Sequence, residues 1–383
     1  MQIRFHAPAR RGARLLSVML SGAFFGAALL SCGGGDDDAP ATPAPPPALS
    51  AFTAANVVAD SAAGAAAHVD SNLVNGWGIA FNPTGFVWVA NQGTSTSTLY
   101  DGRGNPQTLV VSVPAGAGGA AGPAGIVYNG TQDFRVSAGA ASGVAAFIFA
   151  GTGGTLSGWA PAVDRLHAIT TVDTAAGGAA GAAAYTGLTL ASHNGINYLY
   201  AADFRNGRID VYDPAWKKVA LPGGGFTDSG LPAGYAPYGI QAVGNRIYVT
   251  YAQRAASGPG ENRGPGLGIV DVFDPSGALV KRFATGGVLN APWGIAQAPA
   301  GFGSAAGMLL VGNFGDGRIN VFDPASGALM GVLAKADKTP IAIDGLWGIA
   351  FGNGVNEQPA TTLFYAAGPA NGTHGAYGRI DPQ

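Results

Sequence analysis

The chain has a single cysteine, Cys32, among 383 residues, so no intramolecular disulfide can form. Charge is also scarce: 11% of the residues are charged, the net charge is −2, and no basic run lies outside the first fourteen residues. We therefore do not expect nucleic acid as a partner. Few stretches keep a helical apolar period, whereas 63 glycines and 25 prolines favour strands joined by tight turns.

Residues 1–31 have the features of a lipoprotein signal peptide. A leader with four arginines precedes an apolar run over residues 15–30, which is too short for a membrane span. The run ends in Leu-Leu-Ser-Cys and resembles the lipobox of bacterial lipoproteins, in which the cysteine is acylated. We predict that Cys32 carries a lipid and anchors the protein in the cell envelope. Gly33 favours the outer membrane, on its periplasmic side or at the cell surface. The alternative is an ordinary signal peptide that ends at a cysteine by chance.

The segment after the cysteine has almost nothing to bury. Residues 32–51 consist mainly of Gly, Asp, Pro and Ala, a composition that predicts a disordered tether. The folded part is predicted over residues 52–383. This length exceeds the size at which a single core usually stops growing, so a modular architecture is expected.

Two stretches of equal length agree at most positions, "DFRNGRIDVYDP" from Asp203 and "NFGDGRINVFDP" from Asn313. A Gly-Ile or Gly-Leu pair also recurs at intervals of 47 to 62 residues, beginning at Gly78, Gly125, Gly187, Gly239, Gly294 and Gly348. Six units of this length, made of short strands, predict a β-propeller. Each unit follows an order of four strands, and the Asp-Pro pairs at Asp213, Asp274 and Asp323 predict the turn from the third strand to the fourth.

The sixth unit ends without a fourth strand, and this would leave a sheet edge open. An orphan strand at residues 56–60 lies at the other end of the folded part. We predict that it completes the sixth blade and closes the ring. The predicted fold is therefore all-β, a six-bladed propeller of four-stranded blades closed by an N-terminal strand.

The pattern "PWGIA…LLVGNFGDGRINVFDPASGAL" resembles the NHL repeat, and the longer set of units resembles an uncharacterised family of exported bacterial six-bladed propellers. This resemblance covers nearly all of the chain from Phe52 and implies the fold without implying an activity. Lactonases and lyases that are similar to NHL propellers use a glutamate near the channel as a metal ligand or base. This chain has only Glu261 and Glu357, and both lie in predicted loops.

In a propeller, the loops that enter the first strands share a face with the loops between the second and third strands. We therefore predict a ligand site at that mouth of the channel, formed by His68, Asp70, Trp77, Asn91, Asp203, Tyr251, Trp293, Asn313, Trp347 and His374. An aromatic rim with Asn, Asp and His groups suits a sugar, a peptide or another small polar ligand. We expect His68, Asp203, Asn313 and His374 to line one pocket. Alternatively, the aromatic residues pack between blades, and the Asn and Asp residues only close turns.

The leading hypothesis for function is a non-enzymatic, lipid-anchored, monomeric propeller that binds a partner protein or a small polar ligand at one mouth of its channel. The alternative is a metal-assisted hydrolase or lyase of the lactonase-like class. No cofactor is expected, although oxygen atoms of Asp70, Asn91, Asp203 and Asn313 could hold a divalent cation such as calcium.

Overall fold

The computed structural model describes residues 47–49, 51–178 and 180–383. The predicted signal peptide, Cys32 and most of the predicted tether lie outside these residues. The described chain is almost entirely β-structure, with short turns of helix only at Ala62–Gly64, Gly303–Ala305 and Pro369–Gly372. None of the described helices has the length and apolar character needed to cross a membrane.

The strands follow the repeat units. Three strands precede the first complete blade: β1 (Ala48–Leu49), β2 (Phe52–Ala59) and β3 (His68–Val69). Blade one comprises β4 (Gly76–Phe81), β5 (Val87–Asn91), β6 (Thr96–Tyr100) and β7 (Pro106–Ser112). Blade two comprises β8 (Pro123–Tyr128), an inserted hairpin of β9 (Arg135–Ala138) and β10 (Ala141–Val144), and then β11 (Phe147–Gly151), β12 (Thr155–Trp159) and β13 (Ile169–Asp173).

The other four blades follow in the same order. Blade three comprises β14 (Tyr185–His193), β15 (Ile196–Asp203), β16 (Arg208–Tyr212) and β17 (Lys218–Val219). Blade four comprises β18 (Tyr235–Val243), β19 (Arg246–Gln253), β20 (Ile269–Phe273) and β21 (Leu279–Thr285). Blade five comprises β22 (Pro292–Gln297), β23 (Leu309–Asn313), β24 (Ile319–Phe322) and β25 (Leu329–Leu333). Blade six comprises β26 (Leu346–Phe351), β27 (Leu363–Ala367) and β28 (Ala376–Pro382), and it is completed by β2.

The six first strands contact one another in cyclic order, from β4 through β8, β14, β18, β22 and β26 and back to β4. They therefore surround a central axis, and the later strands of each blade lie progressively farther out. The structure confirms the predicted six-bladed propeller of four-stranded blades.

The ring is closed by the N-terminal strand, as predicted. Strand β2 lies antiparallel to β28, with Phe52 opposite Pro382 and Ala59 opposite Ala376. Two further short strands extend the sheets. Strand β3 pairs in parallel with β2, and β1 pairs in parallel with β25 of blade five. Ala48 and Leu49, near the end of the segment predicted to be a tether, thus take part in a sheet.

The glycines of the Gly-Ile pairs let the first strands approach each other. A Cβ atom at Gly239 would lie 2.2 Å from the carbonyl oxygen of Trp293, and one at Gly348 would lie 2.7 Å from that of Trp77. Each of these glycines faces the first strand of the next blade, and the remaining four are Gly78, Gly125, Gly187 and Gly294. Any larger residue would push neighbouring blades apart. The Gly-Ile pair recurs because every blade makes this same contact.

The Asp-Pro pairs form the turns that the sequence predicts. The Asp213 Oδ1 atom accepts hydrogen bonds from the backbone N–H groups of Ala215 and Lys217, both at 2.9 Å. Asp274 and Asp323 accept equivalent bonds in blades four and five. These bonds reverse the chain between the third and fourth strands.

Candidate functional site

Aromatic side chains from several blades pack together at the start of the first strands. The Trp347 ring stacks on Trp77 and on Phe314, with a centroid distance of 3.7 Å in each case. Trp293 meets Trp347 edge-on at 6.0 Å, and the Tyr238 ring lies 5.7 Å from it. Tyr238 and Trp347 belong to blades four and six, which are not neighbours, so their contact places the cluster over the axis. We call this cluster the aromatic plug; it consists of Trp77, Phe204, Tyr238, Trp293, Phe314 and Trp347.

Hydrogen bonds fix two of the indole rings in the plug. The Trp347 Nε1–H group donates to Asn75 Oδ1 at 3.0 Å, and the Trp293 Nε1–H group donates to the carbonyl oxygen of Thr186 at 2.9 Å. Trp347 is only 3% exposed and Trp77 only 7% exposed. Trp77 and Trp347 are therefore part of the core and do not present their faces to solvent as a rim would, whereas Trp293 is partly exposed.

A loop of blade four covers the plug through Glu261 and Arg263. The Tyr238 hydroxyl donates to Glu261 Oε2 at 2.8 Å, and Arg263 Nε donates to Glu261 Oε1 at 2.9 Å. The Arg263 guanidinium also lies 4.1 Å from the centre of the Phe314 ring, which is cation–π geometry. Burial, followed by the charge of Glu261, raises the pKa of Tyr238 well above its ordinary value, so this tyrosine stays neutral.

Two of the predicted polar site residues, Asp203 and Asn313, support their own loops, whereas Asn91 Oδ1 is buried without a hydrogen-bond partner in the described chain. Asn91, Asp203 and Asn313 are all 0% exposed. Asp203 Oδ1 accepts from the Ala184 backbone N–H at 3.1 Å, and Asn313 Oδ1 accepts from the Asn290 backbone N–H at 3.2 Å. These bonds tie the end of the second strand to the loop that enters the first strand of the same blade. This is the turn-closing role that the sequence analysis weighed as the alternative.

The remaining predicted site residues have separate surroundings. His374 Nδ1 lies 2.8 Å from Asp60 Oδ2, and Asp70 Oδ2 accepts a hydrogen bond from the Tyr100 hydroxyl at 2.9 Å. His68 lies in β3, and the Tyr251 ring lies in the core between blades three and four.

The structure therefore brings together the predicted tryptophans Trp77, Trp293 and Trp347, but not Tyr251. Within the described chain, no hydrogen bond or ion pair links any two of the predicted pocket residues His68, Asp203, Asn313 and His374. Their shared pocket stays a prediction.

A cavity of about 450 Å³ opens at the other end of the channel, where the six first strands end. We call it the open bowl; its lining includes Ile79, Phe81, Ile126, Tyr128, Leu190, Gln241, Ile295, Gln297, Ile349 and Phe351. No Asp, Glu, His, Lys, Arg or Cys belongs to the lining formed by the described residues. The bowl thus has an apolar floor, aromatic side chains and two amide groups.

The open bowl is not among the predicted sites, although the sequence carries a signal for it. In four of the six units, the residue two positions after the Gly-Ile pair is aromatic or glutamine, namely Phe81, Tyr128, Gln297 and Phe351. This residue lies four positions after Trp77 or its counterpart, at the far end of the same strand. It therefore reaches the opposite mouth.

Comparison with known proteins shows relatives of uncharacterised function. No family model matches the chain. The chain is 35% identical over 288 residues to the uncharacterized protein R648 of Acanthamoeba polyphaga mimivirus, which covers 74% of this chain and 70% of that protein. It is 34% identical over 293 residues to the uncharacterized protein L690 of the same virus, with 74% and 75% covered. The chain belongs to the family of these two proteins. The resemblance to NHL repeats and to an exported bacterial family stays a prediction.

Solved structures share the propeller fold at low identity. A structural genomics protein of unknown function from Bacteroides thetaiotaomicron has a TM-score of 0.54 and 12% identity, with 86% of this chain and 76% of that chain covered. Virginiamycin B lyase from Staphylococcus aureus has a TM-score of 0.48 and 12% identity, with 87% and 99% covered. At this identity, the likeness shows the fold alone.

The described residues of this family member contain no group of three His, Cys, Asp or Glu side chains that could hold a metal ion. Both glutamates already have partners, because Glu261 binds Tyr238 and Arg263, and Glu357 pairs with Arg103 at 3.1 Å. The hypothesis of a calcium ion on Asp70, Asn91, Asp203 and Asn313 stays a prediction.

Proposed function

We propose that this protein is a lipid-anchored propeller of the cell envelope that binds a small, uncharged polar ligand, such as a sugar, in its open bowl. The observation that carries the proposal is the composition of the bowl. It has the volume of a small-molecule site, about 450 Å³, and combines apolar and aromatic side chains with polar groups that can fix a ligand's orientation. The monomer is sufficient for this function, because one ring supplies the whole bowl.

The polar groups of the bowl are available to a ligand. Gln241 and Gln297 are exposed, and the Gln241 amide bonds only to the carbonyl oxygen of its neighbour Ala242, at 3.2 Å. Phe81, Tyr128 and Phe351 are partly exposed and can pack against the apolar face of a sugar ring. Amide groups beside aromatic rings suit a ligand that has hydroxyl groups and no charge.

The lining favours binding over catalysis. General acid–base catalysis requires a group such as His, Glu, Asp or Lys near the reacting atoms, and a metal-assisted reaction requires several ligands. The described lining supplies neither set. The metal-assisted hydrolase or lyase is therefore not favoured by any feature of the bowl.

The ligand proposal is tested by titrating the protein with neutral mono- and disaccharides, cellobiose among them, by calorimetry and ligand-observed NMR. We expect saturable binding that Gln297→Ala weakens by about tenfold, because a lost hydrogen bond in a partly buried site costs about 1 kcal/mol or more. Gln107→Ala is the matched control, since Gln107 lies in β7 at the outer edge of blade one. Equal weakening by both substitutions, or no saturable binding across the panel, would contradict the proposal.

The anchor is tested separately with Cys32→Ser. We expect this substitution to abolish acylation and to release the protein from the membrane fraction, or to leave it unprocessed. Labelling with an alkyne fatty acid and membrane fractionation measure the two effects. Mature, membrane-associated Cys32→Ser protein would show that the lipobox interpretation is wrong. Fractionation of inner and outer membranes then tests the predicted outer-membrane location.

A further inference from the structure

A second cavity, of about 410 Å³, lies between blades three and four on the face that carries the aromatic plug. Its walls come from the loop after β15, with Phe204 and Arg205, and from the loop after β19, with Arg254. Ala184 and Gly234, at the entries to the two blades, complete the wall near the axis. The cavity is separate from the open bowl, because it lies at the opposite end of the first strands.

Two arginines on this cavity have no acidic partner. Neither Arg205 nor Arg254 forms an ion pair with a described carboxylate, although both are exposed. The two nearest acidic residues along these loops already have partners. Asp203 binds Asn206 and lies 3.4 Å from Arg208, and Glu261 binds Arg263. The cavity therefore has a local positive charge in a chain whose net charge is −2.

The arginine side chains are held by single contacts that leave most of their donors free. An Arg254 terminal nitrogen donates to the carbonyl oxygen of Arg205 at 2.8 Å, and an Arg205 terminal nitrogen donates to that of Ala182 at 3.2 Å. A guanidinium has five N–H donors, so each arginine keeps several for a ligand. Because both are positioned by the protein backbone, little further ordering is needed on binding.

The part of the cavity next to the axis is apolar. Phe204 is buried and packs against Tyr238 with a centroid distance of 4.9 Å, so its ring belongs to the aromatic plug. Ala184 and Ala255 add small apolar surfaces. The loop of Arg254 is closed by a hydrogen bond from Ala255 N–H to the Gly260 carbonyl oxygen at 2.9 Å, which fixes the outer wall.

We propose that the cavity between blades three and four binds a small organic anion, a carboxylate or phosphate group on a compact apolar body. The oxyanion lies between Arg205 and Arg254, where charge-assisted and bidentate hydrogen bonds are available. The apolar body lies toward Phe204. This site is additional to the open bowl and does not depend on it.

Ligand-observed NMR titrations with three probes of similar shape test this site. Benzoate and phenyl phosphate carry the two candidate anions, and benzamide is the neutral counterpart of benzoate. We expect the anions to bind and benzamide to bind at least about tenfold more weakly, because a charged hydrogen bond contributes about 1.5–3 kcal/mol. Tighter binding of phenyl phosphate assigns a phosphate ester as the natural ligand, and tighter binding of benzoate assigns a carboxylate. Equal binding of benzoate and benzamide would overturn the proposal.

Substitutions then locate the site. Arg254→Gln and Arg205→Gln should each weaken binding of the preferred anion about tenfold, and Arg254→Lys should recover only part of that loss, because lysine lacks the planar fork. Arg246→Gln removes the same charge from an exposed residue at the start of β19, at the opposite end of that strand, and should leave binding unchanged. If Arg246→Gln weakened anion binding as much as Arg254→Gln, the effect would come from the net charge of the protein, and a specific site would be refuted.

Discussion

The two ends of the channel are built from the same six strands and yet differ in what fills them. At the start of β26, Trp347 stacks between Trp77 and Phe314 and is 3% exposed. Four residues later in the same strand, Phe351 faces the open bowl and is only partly buried. Aromatic residues at the two ends of one first strand can thus differ, one belonging to the core and the other lining an open cavity. Which of the two roles such a residue takes depends on whether rings from other blades reach it.

The ring of glycines lies between these two ends. These glycines let the first strands lie close together. A small space of about 20 Å³ remains beside them, lined by residues such as Gly78, Ile79 and Trp293. This is room for a single water molecule. This space is too small for a sugar, and it lies between residues of the open bowl, such as Ile79 and Ile295, and Trp293 of the plug.

The largest expected effect comes from truncating the plug. Trp347→Ala should lower the free energy of unfolding by about 3–5 kcal/mol, because it leaves a cavity between two stacked rings and removes the donor to Asn75. Phe351→Ala, in the same strand, should cost less than half as much, because the ring is already partly exposed. Chemical denaturation of both variants measures the difference. Equal losses would show that the two ends do not differ in structural role.

The glycine ring should tolerate no side chain. Gly348→Ala places a Cβ atom 2.7 Å from the carbonyl oxygen of Trp77, so we expect a loss of about 1–3 kcal/mol, which is typical of overpacking. Gly177→Ala is the control, since a Cβ atom there meets nothing within 4 Å. Thermal unfolding compares the two. If Gly348→Ala is as stable as Gly177→Ala, the blades can separate without cost and the proposed reason for the Gly-Ile repeat is wrong.

The architecture could be predicted well from the sequence, because each repeated sequence unit corresponds to one blade of the propeller. Five Gly-Ile pairs and one Gly-Leu pair, the Asp-Pro turns and the orphan strand were enough for the blade count and the closure by β2. The site was harder to predict. Trp77 and Trp347 were expected to form a rim, and whether rings on separate blades touch depends on the distance of the first strands from the axis. That distance is set by contacts between blades, which a pattern within one blade does not show.

Blade four contains a buried carboxyl group, Asp271, whereas the open bowl has no Asp, Glu, His, Lys, Arg or Cys among its described lining residues. Burial, and next the nearby carboxylate of Asp228, raise the pKa of Asp271 to about 7, against the lowering effect of Arg282. From about pH 4 to about pH 7 the unfolded chain loses this proton while the folded chain keeps it. Stability should therefore fall as the pH rises through this range, with a slope of at most about 1.4 kcal/mol per pH unit, and level off above it.

Urea unfolding at a series of pH values measures this slope, and Asp271→Asn should reduce it. Ligand binding in the open bowl should stay constant over the same range, because no carboxyl or imidazole group lines it. An unchanged slope in Asp271→Asn would mean that another group is responsible. If sugar binding changed with pH in parallel with the stability, the open bowl would be coupled to the protonation of Asp271.

The smallest effect is expected for a change within the bowl itself. Gln241→Glu puts a carboxylate on an exposed position of the lining, and we expect the free energy of unfolding to change by less than about 0.5 kcal/mol, as is usual for an exposed side chain without a structural partner. Binding of a neutral sugar should be kept or moderately weakened, because a carboxylate still accepts hydrogen bonds but no longer donates them. By contrast, Trp347 in the aromatic plug has both stacking partners and a hydrogen-bonding partner, so its substitution should cost far more.

If Gln241→Glu instead lowered stability by more than about 1 kcal/mol, the amide would be holding neighbouring blades together. The open bowl would then be a structural end of the channel like the plug, and its glutamines would no longer support a ligand site.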